Sequence, residues 1–243
     1  MHPAPVTQAS TALVAGASGL VGSAILLRLL ADPSLQQVHV LVRKPLALKN
    51  PKLVQHIVDF AALPDLQQII GHIDAAYIAL GSTIKTAGSK AAFRRIDFDA
   101  VVATARAAQA AGCRQVALVS ALEASSKSPV FYSRVKGQAE EALRALQFAK
   151  LVIARPSLLD GDRRVLGQPH RRGEAWALRL MKTLAGLIPL AYQPITGTVI
   201  ANALVITMRD AETGVHILKS GEMQALALQC CKTSKTLDSV QNE

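Results

Sequence analysis

A glycine-rich stretch near the start of the chain, residues 11–30, constrains the fold more than any other feature of the sequence. It opens with a short apolar run, Ala12–Ala15, whose length and lack of polar alternation are typical of a strand buried on both faces. Gly16, Gly19 and Gly22 follow at regular spacing, and apolar residues then recur with the period of an amphipathic helix. The stretch therefore predicts a strand, a tight glycine turn and a helix.

This context gives the glycine turn a chemical meaning. Residues without side chains let the backbone approach a pyrophosphate, and the first turn of a helix presents free N–H groups and partial positive charge to it. Glycines also close tight turns for structural reasons alone, so the spacing by itself is weak support. Placed between a buried strand and a helix, however, G-x-x-G-x-x-G favours nucleotide binding.

Length and composition indicate one soluble α/β domain. The 243 residues suffice for one such domain, and with 50% hydrophobic and 18% charged residues they provide a sizeable core. Cys113, Cys230 and Cys231 show no metal-ligand spacing, and an odd number of cysteines fits a reducing compartment. Met1–Ser10 lacks the features of a signal peptide, and no apolar run reaches about 18 residues. We therefore expect a cytoplasmic protein with no metal site and no membrane partner.

The formal net charge of +10 raises the question of nucleic-acid binding. Basic residues are scattered, and only 4% of the chain is aromatic, which leaves few rings for stacking on bases. We therefore expect no nucleic-acid partner. Basic clusters within residues 43–52 and 155–172 would attract a polyanionic cofactor or an acidic substrate if they lie at the carboxyl ends of strands.

The end of the second predicted strand carries information on the nucleotide. Val38–Val42 runs directly into Arg43 and Lys44, and no carboxylate occurs between Val38 and Pro51. In dinucleotide folds an acidic residue at this position binds the ribose 2′-hydroxyl, whereas a basic residue binds a 2′-phosphate. NADP is therefore favoured over NAD, with the guanidinium of Arg43 forming a fork on the phosphate. The alternative is that both side chains merely cap a strand in solvent.

Strands and helices alternate along the rest of the chain, which argues for parallel pairing through right-handed crossovers. Further strands are predicted at His56–Phe60, Ala75–Leu80, Gln115–Ser120, Leu151–Ala154 and Val215–Leu218. Helices are predicted at Pro64–Ile70, Ser89–Ala111, Tyr132–Phe148, Glu174–Leu187, Thr198–Arg209 and Glu222–Cys230, with a polar loop at Asp160–Gly173. The fold class is α/β, a Rossmann-type doubly wound parallel sheet. We expect a single domain over residues 10–231, in which residues 157–231 form a small, mostly helical substrate lobe, and flexible termini at 1–9 and 232–243.

The candidate catalytic residues lie in Phe131–Lys136. Tyr132 and Lys136 are four residues apart, which places both on one face of a helix. A phenol with a pKa of about 10 is a poor acid–base group at neutral pH, but a nearby ammonium favours the phenolate. Tyr132 would then donate a proton to a carbonyl oxygen as hydride arrives from a nicotinamide, and Lys136 would also bind the nicotinamide ribose. Such pairs occur by chance in many helices, and this one gains weight from the glycine turn upstream.

Together these motifs resemble those of short-chain dehydrogenase/reductases of the atypical or extended kind, which pair G-x-x-G-x-x-G with a later Y-x-x-x-K. More narrowly, the chain resembles the NAD(P)H-binding family of the human HIV Tat-interacting oxidoreductase, also described as a metastasis suppressor. The shared features lie within residues 10–175: Gly-Ala-Ser-Gly at 16–19, Arg-Lys at 43–44, Val-Asp-Phe at 58–60, Leu-Gly-Ser-Thr at 80–83, Tyr132–Gly137 and Arg155-Pro156.

The resemblance implies an NADP(H) site and names its residues. Cofactor contacts are implied for Gly16, Ser18, Gly19, Leu20, Val21, Gly22, Arg43, Lys44, Asp59, Leu80, Gly81, Tyr132, Lys136, Arg155, Ser157 and Leu158. Catalytic roles are implied for Tyr132 and Lys136, with Ser120 as a ligand of the substrate carbonyl. The wider superfamily often places that serine or threonine one or two residues later, where this chain has Ala121 and Leu122. Ser125 is a less favoured substitute.

We therefore expect an NADPH-dependent oxidoreductase that transfers hydride to a small carbonyl-like substrate. The alternative is a non-catalytic NADPH-binding regulatory or sensor protein, which passes cofactor occupancy to a protein partner. The two long alanine-rich helices leave open a homodimer in which they pair between subunits. The sequence does not identify the substrate.

Overall fold

The computed structural model describes residues 10–157, 159–160 and 193–228, and its central feature is a parallel β-sheet. The strands are β1 (Ser10–Ala15), β2 (Leu35–Val42), β3 (Leu53–Ile57), β4 (Ala75–Ile78), β5 (Gln115–Val119), β6 (Lys150–Arg155), β7 (Leu159–Asp160), β8 (Ile195–Thr196) and β9 (Gly214–Lys219). Seven of these described strands form one sheet in the order β3-β2-β1-β4-β5-β6-β9, and all neighbours are parallel. β7 and β8 pair in parallel with each other.

Helices cover both faces of the sheet. They are α1 (Leu20–Leu30), α2 (Leu66–Ile69), α3 (Ile84–Ala87), α4 (Lys90–Arg94), α5 (Ala100–Ala110), α6 (Phe131–Ala145), α7 (Gly197–Asp210) and α8 over residues 220–228. A π-helical turn, Arg95–Asp99, joins α4 to α5. One apolar core lies between the sheet and α1, α7 and α8, and a second lies between the sheet and α2, α5 and α6. The predicted Rossmann-type parallel fold is confirmed.

The strand order places a crevice at the carboxyl end of β1. From β1 the chain moves outward through β2 and β3, then crosses back to β4 on the other side of β1. Ligands of open α/β sheets bind at such a reversal, outside the carboxyl ends of the strands. The glycine turn, which follows β1, therefore lies at this point.

Several predicted boundaries are corrected by the structure. The third strand is Leu53–Ile57 and not His56–Phe60, because it pairs residue for residue with Val38–Val42 and ends where β2 ends. The fourth strand ends at Ile78 and not at Leu80, where the chain turns beside the glycine turn. The helix predicted at Ser89–Ala111 is interrupted by the π-helical turn. α6 ends at Ala145 and not at Phe148, because Gln147 has a φ of +55°.

Some expectations concern residues outside the described part of the chain. They are the termini, residues 161–173 of the predicted loop, the helix at Glu174–Leu187, Leu158, and the cysteines Cys230 and Cys231. Within the described part, no helix has both the length and the apolar character that a bilayer crossing requires.

Candidate functional site

The glycine turn between β1 and α1 is packed so closely that side chains are excluded from it. Gly16 has a φ of +93°, and its carbonyl oxygen accepts a hydrogen bond of 2.9 Å from the Gly19 N–H. A Cβ atom at Gly22 would lie 2.1 Å from that same oxygen, and one at Gly16 would lie 2.5 Å from the carbonyl oxygen of Ala79. The turn is therefore pressed against the end of β4, across the crevice between the two strands.

The start of α1 has the features of an anion site. Its N-cap residue is Gly19, which makes no side-chain capping bond, so the N–H groups of the first turn need an acceptor. Among the residues that the structure describes, a Cβ atom at Gly19 would have only the Gly16 oxygen within 4 Å, at 3.3 Å. The space over Gly19 thus suits a group that approaches the backbone closely, and the exposed Ser18 lies beside it. A pyrophosphate fits these residues, with Leu20 and Val21 supplying amides of the first turn.

Two cations stand where the sequence predicts them, at the carboxyl end of β2. Arg43 and Lys44 follow Val42 and are both exposed. Within residues 10–157, 159–160 and 193–228, neither side chain makes a hydrogen bond or an ion pair. Asp59 lies nearby after β3, is also exposed, and accepts a 2.9 Å hydrogen bond from the Ala61 N–H. The two cations are thus available to an anion at this edge of the sheet.

The loop after β4 connects the glycine turn to the predicted catalytic lysine. It begins at Ala79, which contacts Gly16, and continues through Leu80 to Gly81. A Cβ atom at Gly81 would lie 3.3 Å from Nζ of Lys136. Gly81 therefore lies between the nucleotide end of the site and the Tyr–Lys end.

Lys136 is paired with a carboxylate that the sequence analysis missed. Its Nζ lies 2.8 Å from Oδ1 of Asp97, and both side chains are buried. The other oxygen of Asp97 accepts a 2.9 Å hydrogen bond from the Ser82 N–H. Asp97 belongs to the π-helical turn, and such turns are frequent at functional sites. No local sequence pattern indicates this contact, because its partners are 15 and 39 residues away.

Burial and charge act in opposite directions on this pair. Burial lowers the pKa of Lys136, but the neighbouring Asp97, Tyr132 and Glu140 outweigh it and raise this pKa above its ordinary value. Burial also raises the pKa of Asp97, against the lowering effect of Lys136 and of the Ser82 amide. Lys136 is thus held as an ammonium, which is the state that its predicted role requires.

Tyr132 lies one helical turn before Lys136 on α6, as the spacing predicts. The tyrosine is half-buried, and its ring packs against the fully buried ring of Phe93, with the two centroids 5.3 Å apart. Phe93 belongs to α4, in the turn before Asp97. The same helical segment therefore holds both Tyr132 and Lys136.

Two other predicted residues, Ser120 and Arg155, meet at a different carboxylate. Ser120 Oγ donates a 2.6 Å hydrogen bond to Oε1 of Glu140, and Arg155 donates to both Glu140 oxygens, from Nε at 3.0 Å and Nη2 at 2.6 Å. These hydrogen bonds raise the pKa of Arg155 above its ordinary value. Glu140 was also missed by the sequence analysis, although it follows Lys136 by four residues and therefore shares its face of α6.

Ser157, another predicted contact, joins the end of β6 to the later part of the chain. Its N–H donates a 2.7 Å hydrogen bond to Ser220 Oγ, and its hydroxyl donates to the Gln193 carbonyl oxygen at 2.5 Å. The structure thus brings Tyr132, Lys136 and Gly81 together, and groups Ser120 with Arg155 around Glu140. Within its described part it shows no cluster of three or more metal-ligating side chains.

Comparison with known proteins identifies the family of the chain. Residues 16–175 match the NAD(P)H-binding family. The chain belongs to that family. Among curated relatives of this NAD(P)H-binding protein, it is 31% identical to the mitochondrial protein FMP52 of Eremothecium gossypii over 90% of its own length and 97% of the relative. It is also 31% identical to protein HTATIP2 of Rattus norvegicus, over 71% of its own length and 70% of that relative. The resemblance inferred from the motifs is confirmed.

Solved structures show the same fold at low sequence identity. MoeE5 in complex with UDP-glucose and NAD matches with a TM-score of 0.64 and 16% identity, covering 88% of this chain and 79% of that one. UDP-glucose 4-epimerase of Thermotoga maritima, with UDP-glucose, also has a TM-score of 0.64, at 12% identity, over 87% of this chain and 77% of that one. At this identity the likeness concerns the fold alone.

The expected location is contradicted by the names of the relatives. FMP52 proteins of Eremothecium gossypii, Coccidioides immitis and Meyerozyma guilliermondii are each named as mitochondrial. The expectation of a cytoplasmic protein rested on cysteine number and on the polar character of the first ten residues. Neither feature identifies a compartment, because reduced thiols occur inside several of them.

Proposed function

We propose that the chain is an NADPH-dependent oxidoreductase that reduces a small carbonyl-like substrate. The observation that carries this proposal is the position of Gly81. The loop that begins against Gly16 of the glycine turn reaches Nζ of Lys136 only two residues later. A dinucleotide whose pyrophosphate lies on α1 therefore has its other half beside Lys136 and Tyr132.

Each part of the site has a role in this reaction. The first-turn amides of α1 bind the pyrophosphate, and Arg43 and Lys44 bind a 2′-phosphate. Bound NADPH supplies the hydride. Tyr132 donates its phenolic proton to the carbonyl oxygen, and the Lys136 ammonium stabilises the phenolate that remains. Asp97 holds Lys136 in place.

The catalytic role is tested by NADPH oxidation with a panel of aldehydes and ketones. Tyr132→Phe removes only the phenolic oxygen and should lower kcat at least about 100-fold, the usual contribution of a general acid. Tyr77→Phe is the matched control, because Tyr77 is buried in β4 among apolar side chains. Equal rates for Tyr132→Phe and the wild type would remove Tyr132 from the mechanism.

The cofactor preference is tested by the dissociation constants of NADPH and NADH. We expect Arg43→Gln with Lys44→Gln to weaken NADPH binding by about tenfold or more and to leave NADH nearly unchanged, because only NADPH carries the 2′-phosphate. Arg28→Gln serves as the control, since Arg28 is exposed near the far end of α1. Equal affinity of the wild type for both cofactors would contradict the preference.

A second candidate function is a cofactor-binding sensor without turnover, and one observation favours it. Ser120 is the predicted ligand of the substrate carbonyl, but its hydroxyl donates its hydrogen bond to Glu140. Two results together would support the sensor over the enzyme. The protein would bind NADPH without oxidising it in the presence of any carbonyl compound, and a protein partner would be recovered in only one cofactor state.

A further inference from the structure

Glu140 joins three elements of the fold through one buried carboxylate. Its side chain is 1% exposed. It accepts hydrogen bonds from Ser120, which follows β5, and from Arg155, the last residue of β6. Arg144, one turn further along α6, is the third donor residue and adds a fourth hydrogen bond, of 3.1 Å, to Oε2. Neither strand end can shift along α6 without breaking these bonds.

The hydrogen bond of Ser120 excludes its predicted role while the bond is made. A hydroxyl has one proton to donate, and here it is donated over 2.6 Å to Oε1 of Glu140. Ser120 is buried, and its N–H is bonded to the Ala154 carbonyl oxygen at 2.8 Å, so both donors of this residue are engaged. A substrate carbonyl in the site would therefore receive no hydrogen bond from it.

The position of Glu140 relates it to the Tyr–Lys pair. Tyr132, Lys136 and Glu140 follow each other at intervals of four residues, so each lies about 6 Å further along the same side of α6. Lys136 is fixed by Asp97 of the π-helical turn, whereas Glu140 is fixed by Arg155 at the end of β6. Two ion pairs on one face therefore determine where α6 lies along its axis.

We propose that Glu140 is a positioning residue, which clamps α6 to the ends of β5 and β6 and so sets Tyr132 and Lys136 against the nicotinamide half of the cofactor, with Ser120 serving the clamp. The inference rests on the proposed NADPH site, because it concerns how the residues of that site are held. It differs from a general stabilising role in one respect. Loss of the clamp displaces the nicotinamide end and leaves the adenine end, built on β1, α1 and β2, in place.

The test compares a ligand that has the nicotinamide half of the cofactor with one that lacks it. NADPH occupies both ends of the site, whereas 2′,5′-ADP occupies only the adenine end. Glu140→Gln keeps the size of the side chain but removes its charge. We expect the Kd of NADPH to rise about tenfold, and that of 2′,5′-ADP to change less than about twofold, by calorimetry. We also expect bound NADPH to lose part of the fluorescence change that the wild type gives, since that signal reports the nicotinamide environment.

Glu141→Gln is the matched control for this variant. Glu141 is the next residue of α6, is exposed, and accepts a hydrogen bond from the half-buried loop residue Ser126 and not from a residue at a strand end. Its substitution should leave both dissociation constants unchanged. Arg155→Lys is a second variant that retains the charge but loses the two-pronged contact, and it should show the same selective loss at smaller size.

The outcomes separate this inference from the proposed function. Selective weakening of NADPH in Glu140→Gln and Arg155→Lys supports the clamp. Equal weakening of both ligands, or no change in either, overturns the clamp while the NADPH site stands. A wild-type protein that binds neither ligand overturns both proposals.

Discussion

Asp97 and Lys136 form a pair of opposite charges that water barely reaches. The side chain of Asp97 is fully buried and that of Lys136 is 7% exposed. Removing one partner of a buried pair is more damaging than removing both, because the remaining charge has lost its compensation. The pair therefore fixes Lys136 in position only as long as both charges are present.

Asp97→Asn should lower the free energy of unfolding by about 3–5 kcal/mol, the usual cost of breaking a buried ion pair. The Ser82 N–H retains an acceptor in this variant, so the loss of stability measures the effect of removing the charge. Asp97→Asn with Lys136→Met should recover most of it, as a double-mutant cycle in urea would show. Asp99→Asn, an exposed position in the same π-helical turn, is the control. A single variant as stable as the wild type would mean that the pair contributes little.

At the scale of elements, α6 is the part of the fold on which the site depends most. Its Gly137 allows the loop before the helix to pack directly on its backbone. A Cβ atom there would lie 2.1 Å from the carbonyl carbon of Ser125 and 2.2 Å from the Ser126 nitrogen. The Ser125 N–H also donates a 3.1 Å hydrogen bond to the Ser133 carbonyl oxygen. The helix and the loop after β5 are thus one packing unit.

Gly137→Ala tests this unit. In an exposed helix the change would stabilise the protein by about 1 kcal/mol, because alanine is the better helix former. Here we expect a net loss of about 1–3 kcal/mol, since backbone atoms must move to admit the methyl group. The free energy of unfolding in urea gives the result. Gln138→Ala is the comparison at the half-buried neighbouring position, where the loss is that of the 2.6 Å hydrogen bond from Arg94. A gain in stability would show that the loop yields easily.

The sequence predicted the elements better than their contacts. Apolar runs such as Ala12–Ala15 and Val38–Val42 predicted buried strands, because strands covered on both faces have no polar alternation. The glycine turn and the basic residues after β2 could also be placed, since each follows directly from a strand end. Neither Asp97 nor Glu140 could be assigned, because their partners come from distant segments. The π-helical turn could not be predicted either, because its buried Asp97 contacts Lys136 in a distant segment.

At the scale of the whole molecule, a buried histidine and its half-buried partner relate stability to pH. His39 on β2 is 4% exposed, and its Nδ1 lies 2.8 Å from Nε2 of His56 on β3. Its Nε2 lies 3.1 Å from the side-chain oxygen of Gln37. Burial, with the neighbouring His56, lowers the pKa of His39 to about 4, and burial also lowers the pKa of His56. The folded protein therefore resists protonation of both rings.

A stability loss at mildly acidic pH follows. Between about 6.5, the ordinary pKa of histidine, and about 4, the unfolded chain binds a proton at His39 that the folded chain does not. Unfolding therefore becomes easier as the pH falls through this range, by up to about 1.4 kcal/mol per pH unit from this residue. His39→Gln should flatten the dependence in urea denaturation measured from pH 7 to 4.5. An equally steep slope in the variant would assign the loss to other groups.

The first helix and the late helix α7 meet at their starting points. A Cβ atom at Gly197 would lie 2.8 Å from the carbonyl oxygen of Leu20, so the two backbones touch where each helix begins. Segments separated by most of the sequence thus share one corner of the molecule, next to the amides that an incoming phosphate would bind. A group bound there would act on the starts of both helices at once. A substitution at Gly197 would therefore act directly on the first turn of α1.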